Sequence, residues 1–262
     1  MLQQLLDTFQ PITLEEIGGI KLMNRIDTKF VTTLPRLQLL LEMAQSEYRV
    51  QEIGDERNLL YHTVYFDTPK FDMFSVHQSG HAGRQKVRAR SYVSSDLHFL
   101  EVKTKNNHGR TKKKRIKIHT SELLTLHLSE GENKTFLDEH LRYDNRTLSP
   151  AMDNLFDRIT LVNNQKTERV TIDTNLHFHN VQTGRDWHEP QLVIVELKRD
   201  GLCPSPILEC LRQLHIHPHG FSKYCIGSCM TNPGLRINRF KPKLIDVRKI
   251  LATASEGQAY ND

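Results

Sequence analysis

Cysteine is scarce in this sequence and is confined to its last quarter. The 262 residues include four cysteines, Cys203, Cys210, Cys225 and Cys229. Their spacing fits none of the common zinc-ligand patterns, and a disulfide-stapled secreted domain would need a denser framework. We therefore expect reduced thiols with structural roles, as is typical of a cytoplasmic protein.

Long apolar runs are missing as well. No stretch approaches the roughly 20 apolar residues that span a bilayer, and the first 17 residues do not have the basic and apolar regions of a secretory signal. The sequence also lacks internal repeats and Pro/Gly-rich linkers. These absences predict a single domain over residues 1–262 without a membrane segment, with a polar, frayed tail from about residue 255.

Acidic residues are absent from residues 83–92, GRQKVRARSY, which carry a cation at every second position. Alternate side chains of a β-strand point to opposite faces, so Arg84, Lys86, Arg88 and Arg90 would share one face. The formal net charge of the chain is only +5. The local clustering of charge is therefore more informative about partners than the overall balance.

The same alternation recurs in several other predicted strands. The polar residues in phase are Arg25, Asp27 and Lys29; Glu101, Lys103 and Lys105; Lys113, Arg115 and Lys117; Arg158; Arg169 and Asp173; and Glu196 and Lys198. A solvated sheet face would mix cations with many neutral and acidic side chains. The recurrence therefore favours an α+β fold built on a closed antiparallel β-barrel, or tunnel, whose core covers about residues 20–230. Cations would line the inside of this barrel, and helices would pack on its outside.

A barrel lined by like charges is strongly repulsive unless a multiply charged anion fills it. Inorganic polyphosphate or the triphosphate of ATP suits this role, because each phosphoryl unit brings negative charge and acceptor oxygens that arginine binds bidentately. Nucleic acid is disfavoured as a partner. Binding of single strands uses aromatic platforms, and Tyr92 is the one aromatic residue that we identify near the basic faces.

Four carboxylates interrupt the predicted cationic lining, namely Asp27, Glu101, Asp173 and Glu196. Each could pair with a neighbouring cation or hold a divalent metal that bridges phosphate oxygens. Glu196 is our first choice as a metal ligand, because its segment VIVELK is otherwise apolar.

Apolar spacing predicts the other elements. Helices are expected over about 2–9, 35–48 and 121–156, the last with Ser149 and Pro150 as a cap, and another helix is expected after Ser205 and Pro206. Strands are expected in KLMNRIDTKFVTT, LLYHTVYFDT, RQKVRARSYV, LHFLEVKTKNN, GRTKKKRIKIH, FDRITLVNN, ERVTIDTNLHFHNV and PQLVIVELKRD. Residues 69–83 are expected to form a loop, and a polar turn at 106–109 to close a hairpin.

An ordered set of motifs indicates a family. NRIDTKF, YFDT followed by FDMF, RQKVRARSY, LEVKTK, KKRI, ERVTIDT, VIVELK and FSKY occur in that order. Together they resemble the VTC domain, the catalytic module of the vacuolar transporter chaperone polyphosphate polymerase, in the triphosphate tunnel metalloenzyme (CYTH-like) superfamily. The resemblance covers about residues 24–224. It implies a closed antiparallel β-tunnel with helices outside, and ATP-driven growth of inorganic polyphosphate with Mn²⁺ or Mg²⁺.

The resemblance also implies roles for particular residues. Lys29, Arg88, Arg90, Lys103, Arg158 and Arg169 match the phosphate-binding cations at the catalytic centre, and Lys113 or Arg115 matches a further basic position. Glu196 matches the metal-holding glutamate, with Glu101 as a second candidate ligand from the charge pattern. Ser222 and Lys223 match a serine–lysine pair, and the in-phase cations Arg84, Lys86, Lys105 and Lys198 are expected to bind phosphate beside them.

The sequence departs from the superfamily at one strand. The superfamily has two glutamates before the first lysine, whereas RIDTK has Arg25 and Asp27. This departure weakens the expectation of a two-carboxylate metal site, and of simple triphosphate hydrolysis. The eukaryotic polymerase also carries an SPX domain and membrane helices that are absent here, so coupling to transport would require a separate membrane partner.

Other functions stay open at this point. A tripolyphosphatase or nucleoside triphosphatase would use water as the acceptor in the same barrel. A non-catalytic module would bind polyphosphate or nucleotide without turnover. The sequence leaves the oligomeric state open.

Overall fold

The computed structural model describes residues 2–20, 25–107 and 111–258, with side chains as far as residue 254. Its helices are α1 (Leu2–Asp7), α2 (Leu14–Gly18), α3 (Leu34–Ala44), α4 (Asp72–Gln78), α5 (Gly131–His140), α6 (Pro206–Gln213), α7 (Lys223–Thr231) and α8 (Lys241–Gln258). Its strands are β1 (Gln10–Ile12), β2 (Arg25–Thr33), β3 (Tyr48–Gln51), β4 (Leu59–Asp67), β5 (Gln85–Tyr92), β6 (Leu97–Lys105), β7 (Thr111–Ile118), β8 (Ser149–Asn163), β9 (Glu168–Asn180), β10 (Arg185–Glu189) and β11 (Leu192–Asp200). No described helix has the length and apolar character needed to cross a bilayer.

The strands form one curled sheet in the order β2-β11-β9-β8-β4-β5-β6-β7, with every neighbouring pair antiparallel. β10 extends β9 antiparallel, β3 adds to β8, and β1 lies parallel to β3. The predicted hairpin of β6 and β7 is present in this register, although its turn extends into residues 108–110, outside the described residues.

The predicted closed barrel is wrong for the described residues, which form a half-barrel. β2 and β7 end the strand order and do not pair with each other within residues 25–107 and 111–254. The outer edge of β2 is covered by the segment before α7, where the amide of His219 donates to the Lys29 carbonyl oxygen at 2.7 Å. β7 is mostly exposed and rich in lysine, and charged side chains on an edge strand oppose pairing with another strand.

The convex face of the sheet is apolar and carries most of the helices. Ile159, Val170 and Val195 pack with residues of α1, α3 and α6. Val87 and Leu100 pack beneath α5. Because each strand buries its apolar positions here, the alternate polar positions must face the concave side.

One end of the concave face is filled by α4, α7 and α8. Phe156 and Ile194 of the sheet pack there with Tyr224 of α7 and Phe74 of α4. α7 approaches β9 so closely that a Cβ at position 227 would lie 2.5 Å from a ring carbon of Phe178, which requires the glycine found there. The first residues of α7 are thereby held against the concave face.

Two sequence predictions are corrected here. Residues 121–156 are not one helix: only α5 is α-helical there, and Ser149 and Pro150 begin the 15-residue strand β8. Met152, Leu155, Phe156 and Ile159 have the spacing of a helix, so the local pattern is misleading here. Pairing with β4 on one side and β9 on the other makes the segment a strand. Residues 69–83 include α4 rather than only a loop, because the buried Asp67 carboxylate accepts hydrogen bonds from the amides of Met73 and Phe74.

The ends of other predicted elements also shift. The helix expected to reach about residue 48 ends at Ala44, because Tyr48 begins β3. α8 continues to Gln258, so residues 255–258 of the predicted frayed tail are helical, and the rest of that tail lies outside the described residues.

Candidate functional site

The strand register brings the cations of seven strands onto the concave face. Lys86 lies opposite Lys103, which lies opposite Lys113 on β7. At the other side of the sheet, Lys29 lies opposite Glu196. The remaining predicted residues in phase on this face are Arg88, Arg90, Glu101, Arg115, Arg158, Arg169, Asp173 and Lys198. The prediction that these side chains share one face is confirmed.

Glu101 is the carboxylate at the centre of β5, β6 and β7. Its side chain is fully buried, and one oxygen accepts from Arg88 Nε at 2.6 Å while the other accepts from Lys113 Nζ at 3.0 Å. Burial alone would raise the pKa of Glu101, but Arg88, Arg90 and Lys113 together hold it well below its usual range. Glu101 is therefore ionised, and each of its carboxylate oxygens already forms an ion pair with a cationic side chain.

Arg90 and Lys103 lie beside this cluster without a carboxylate partner. Arg90 Nε donates to Thr63 Oγ1 at 3.0 Å, and its guanidinium lies over the Tyr61 ring. Lys103 makes no hydrogen bond or ion pair with the described part of the chain. Burial and then the charges of Arg88 and Arg90 lower the pKa of Lys103 well below its usual value. This position therefore favours an anion.

Arg158 and Asp173 form a tight pair on the opposite half of the concave face. The guanidinium donates to both carboxylate oxygens, at 2.6 and 2.8 Å. Lys223 of α7 also donates to Asp173. The pKa of Lys223 is lowered to about 7, mainly by burial. The positive charge of Arg158 also lowers this pKa, and the pairing with Asp173 offsets only part of the decrease. Charge is nearly balanced here.

Glu196 lies between two lysines on the same half. One oxygen is 3.2 Å from Lys198 Nζ, and the other is 3.7 Å from Lys29 Nζ. Burial would raise the pKa of Glu196, but Lys198 and Lys29 hold it well below its usual range. Arg169, farther along the face, donates to the Ile17 carbonyl at 3.1 Å and leaves its buried Nε without a partner among the described residues.

The start of α7 joins the two halves of the face. Ser222 is its N-cap, accepting from the Cys225 amide at 3.3 Å and from Lys86 Nζ at 2.8 Å. Lys29 Nζ donates to the Phe221 carbonyl at 3.1 Å. The helix N-terminus thus adds backbone N–H groups and a positive dipole end beside lysines, which suits an anion.

Three predicted phosphate-binding residues lie at the margins. Arg84 precedes β5 rather than belonging to it, and donates to the His81 carbonyl at 3.3 Å. Lys105 ends β6, beyond the central cluster. Arg115 is exposed and lies over the Phe99 ring, 4.3 Å from its centroid. The register now places both Lys113 and Arg115 on the face of Glu101.

Glu196 fits a divalent metal better than Glu101 does. No three His, Cys, Asp or Glu side chains in the described ranges converge on a common metal position. Glu101 uses both oxygens in ion pairs, whereas one Glu196 oxygen has only the 3.7 Å contact with Lys29. Mg²⁺ is commonly bound by one or two carboxylates together with substrate phosphates. The residues present therefore fit an ion held jointly by Glu196 and a phosphate ligand.

Sequence reasoning missed most of the aromatic residues on this face. Tyr61 and Phe156 lie opposite one another in the sheet, and Phe99 lies opposite Arg90. Phe99 is two positions from Glu101 and shares its parity in LHFLEVKTK, so alternation could have identified it. The statement that Tyr92 is the one aromatic residue near the basic faces is therefore wrong.

The fold and the site together define an α+β half-barrel with a cation-rich concave face. The sequence matches the VTC domain over residues 24–232, which is most of the chain. The chain therefore belongs to the VTC domain family. No curated protein sequence matches it as a relative.

Two solved structures are similar to the chain at low identity. A candidate adenylate cyclase from Bacillus halodurans is 16% identical, with a TM-score of 0.49 over 84% of this chain and 100% of that one. A candidate adenylyl cyclase from Hippeastrum, described with a dominant triphosphatase activity, is 17% identical, with a TM-score of 0.48 over 80% of this chain and 98% of that one. At these values the likeness carries no argument about activity.

Proposed function

We propose that this protein is a polyphosphate polymerase, which transfers the γ-phosphoryl group of ATP onto a chain of inorganic polyphosphate. Membership of the VTC domain family supports this function. The observation that carries it is the row of cations on β5 and β6. Arg90 and Lys103 have no carboxylate partner there among the described residues, and the pKa of Lys103 is strongly lowered. Phosphate oxygens would supply the missing negative charge.

Phosphoryl transfer requires little covalent chemistry from the protein. The terminal phosphate of the growing chain attacks the γ-phosphorus in line, and ADP leaves with the bond electrons. Arg88, Arg90 and Lys103 orient the phosphates and stabilise the charge that develops on their oxygens. Lys86, Ser222 and the start of α7 would hold the far end of the phosphate chain.

A divalent ion, Mn²⁺ or Mg²⁺, would be held by Glu196 and phosphate oxygens. When bound, it would neutralise part of the phosphate charge. Lys29 and Lys198 keep Glu196 ionised and therefore able to act as a ligand.

A covalent enzyme intermediate is not part of this proposal. Cys225 Sγ lies 2.9 Å from His77 Nδ1, but burial raises the pKa of the thiol and lowers the pKa of His77 to about 2. Both groups are therefore neutral near pH 7, and the thiolate that nucleophilic attack needs is not formed. We assign this pair to the packing of α7 against α4.

Incubation of the full chain with ATP and Mn²⁺ tests the function. We expect long-chain polyphosphate together with an equivalent amount of ADP, measured by gel electrophoresis and by coupled nucleotide assay. Free phosphate as the sole phosphoryl product would instead identify a triphosphatase. Tight binding of tripolyphosphate without either product would identify a binding module, and would contradict the proposal.

A further inference from the structure

The cations of the concave face give way to aromatic side chains at the end of β5 that lies away from Lys86. β5 ends with Tyr92, two positions after Arg90, and β6 carries Phe99 two positions before Glu101. The rings of Tyr92 and Phe99 meet edge to face with centroids 5.9 Å apart, and Tyr92 meets Tyr61 at 4.9 Å. An aromatic surface therefore continues directly from the phosphate-binding cations.

Phe99 is not explained by packing in the core. It is partly exposed, and it is not a member of any of the hydrophobic clusters formed by the described residues. The aromatic residue Tyr61, by contrast, is buried within such a cluster. Phe99 instead packs against the exposed guanidinium of Arg115, which lies over its ring. A planar cation on an aromatic ring presents a flat surface on which another planar group can stack.

We propose that Phe99, Tyr92 and Arg115 form a stacking platform for the nucleobase of the nucleoside triphosphate donor. This inference rests on the proposed function, because it states how the donor is held. A triphosphate lying over Arg88 and Arg90 places its nucleoside one step farther along the strand. That step, two residues of β5, is roughly 7 Å, and it ends at Tyr92.

The platform suits one base rather than a nucleic acid strand. Proteins that bind single strands stack successive bases on a series of exposed aromatic side chains. On this face Tyr61, Tyr65 and Phe156 are buried, so the accessible aromatic surface is that of Tyr92 and Phe99. The site therefore offers the stacking surface of one base rather than that of a series of bases.

Calorimetric titration with ATP and with tripolyphosphate separates the base from the phosphates. We expect Phe99→Leu to weaken ATP binding about 10-fold, as loss of one base stack does, and to leave tripolyphosphate binding unchanged. The matched control Phe99→Tyr keeps a ring and should retain ATP affinity. Lys103→Met should instead weaken both ligands, because it removes a charge that both use.

The same titrations can also contradict the stacking platform or the proposed function. Equal affinity of Phe99→Leu and wild type for ATP would overturn the platform while leaving the proposed function intact. Failure of wild type to bind either ligand would overturn the proposed function itself. Tighter binding of oligoadenylate than of ATP, lost in Phe99→Leu, would show a nucleic-acid surface and overturn the assignment to a mononucleotide.

Discussion

The two halves of the concave face differ in their balance of charge. Carboxylates and cations alternate on the half formed by β2, β11, β9 and β8. One carboxylate faces a row of cations on the half formed by β5, β6 and β7. Asp173 and Glu196 each contact two cations on the first half. On the second half Glu101 is shared between Arg88 and Lys113. Arg90 and Lys103 have no carboxylate partner within the part of the chain that the structure describes.

This difference assigns different tasks to the two halves. A buried pair such as Arg158 and Asp173 is strongly destabilised when one member is removed, because the other is left as an uncompensated charge. A buried cation without a partner already carries that cost, and an anionic ligand relieves it. We therefore expect the balanced half to contribute more to the stability of the fold, apart from Glu196 as the proposed metal ligand, and the cation-rich half to contribute more to the proposed phosphate binding.

The largest effect is expected from Lys103→Met. Polyphosphate synthesis should fall by about 10²–10³-fold, the usual loss when one group that stabilises transition-state charge is removed. The melting temperature should stay the same or rise, because the repulsion from Arg88 and Arg90 is removed. Lys114→Met, on the exposed edge strand β7 but facing away from Lys103, is the matched control and should retain activity. Equal loss in both variants would contradict the comparison.

The next largest effect is expected from Arg158→Met. It leaves Asp173 with Lys223 alone in a buried site, so the free energy of unfolding should fall by about 3–5 kcal/mol. Urea denaturation measures this change. Replacing both members, Arg158→Met with Asp173→Leu, should recover part of the loss. A stable single variant with only its phosphate binding reduced would show that the two halves do not differ.

The smallest effect is a dependence of stability on pH. The folded-state pKa of Lys223 is about 7, below its usual value of 10.5, and that of Lys103 is also lowered. Between the folded-state and the unfolded-state pKa of each lysine, the unfolded chain therefore binds more protons than the folded chain. The free energy of unfolding should then rise with pH, by at most about 1.4 kcal/mol per pH unit for each lysine. Urea denaturation at pH 7, 8 and 9 measures this slope.

Tripolyphosphate binding should change in the opposite direction over this range, because the phosphates favour charged lysines. Lys103→Met should reduce the pH dependence of stability and also that of tripolyphosphate binding. A free energy of unfolding that falls with rising pH would contradict this charge balance. So would a pH dependence of stability that is the same in Lys103→Met and in wild type.

The cationic face could be predicted from the sequence because alternation in a strand depends only on the pleat of the backbone. Lys29, Arg88, Lys103, Arg158 and Glu196 each keep the parity of their strand, and the structure brings them together. Phe99 keeps the same parity, so alternation identifies it when apolar residues in phase are considered together with the charged ones.

Other features depend on tertiary contacts that no local pattern contains. α7 is held at the concave face by the close approach of Gly227 to Phe178, which are 49 residues apart in the numbering. The pairing of Lys223 with Asp173 follows from that approach. Closure of the sheet likewise depends on whether its end strands meet, and alternation is the same in a barrel and in a half-barrel.

The gap between β2 and β7 bears on how a long product could be handled. A closed channel admits a polymer only by threading from a terminus, and its length sets how much of the polymer must pass before release. Within residues 25–107 and 111–254 the sheet does not close, but the segment before α7 covers the β2 edge and the start of α7 contacts both Lys29 and Lys86. The uncovered flank is therefore the one along β7, where a linear polyanion can depart sideways. For the proposed polymerase, we therefore expect a long product to leave along this flank without threading out from its end.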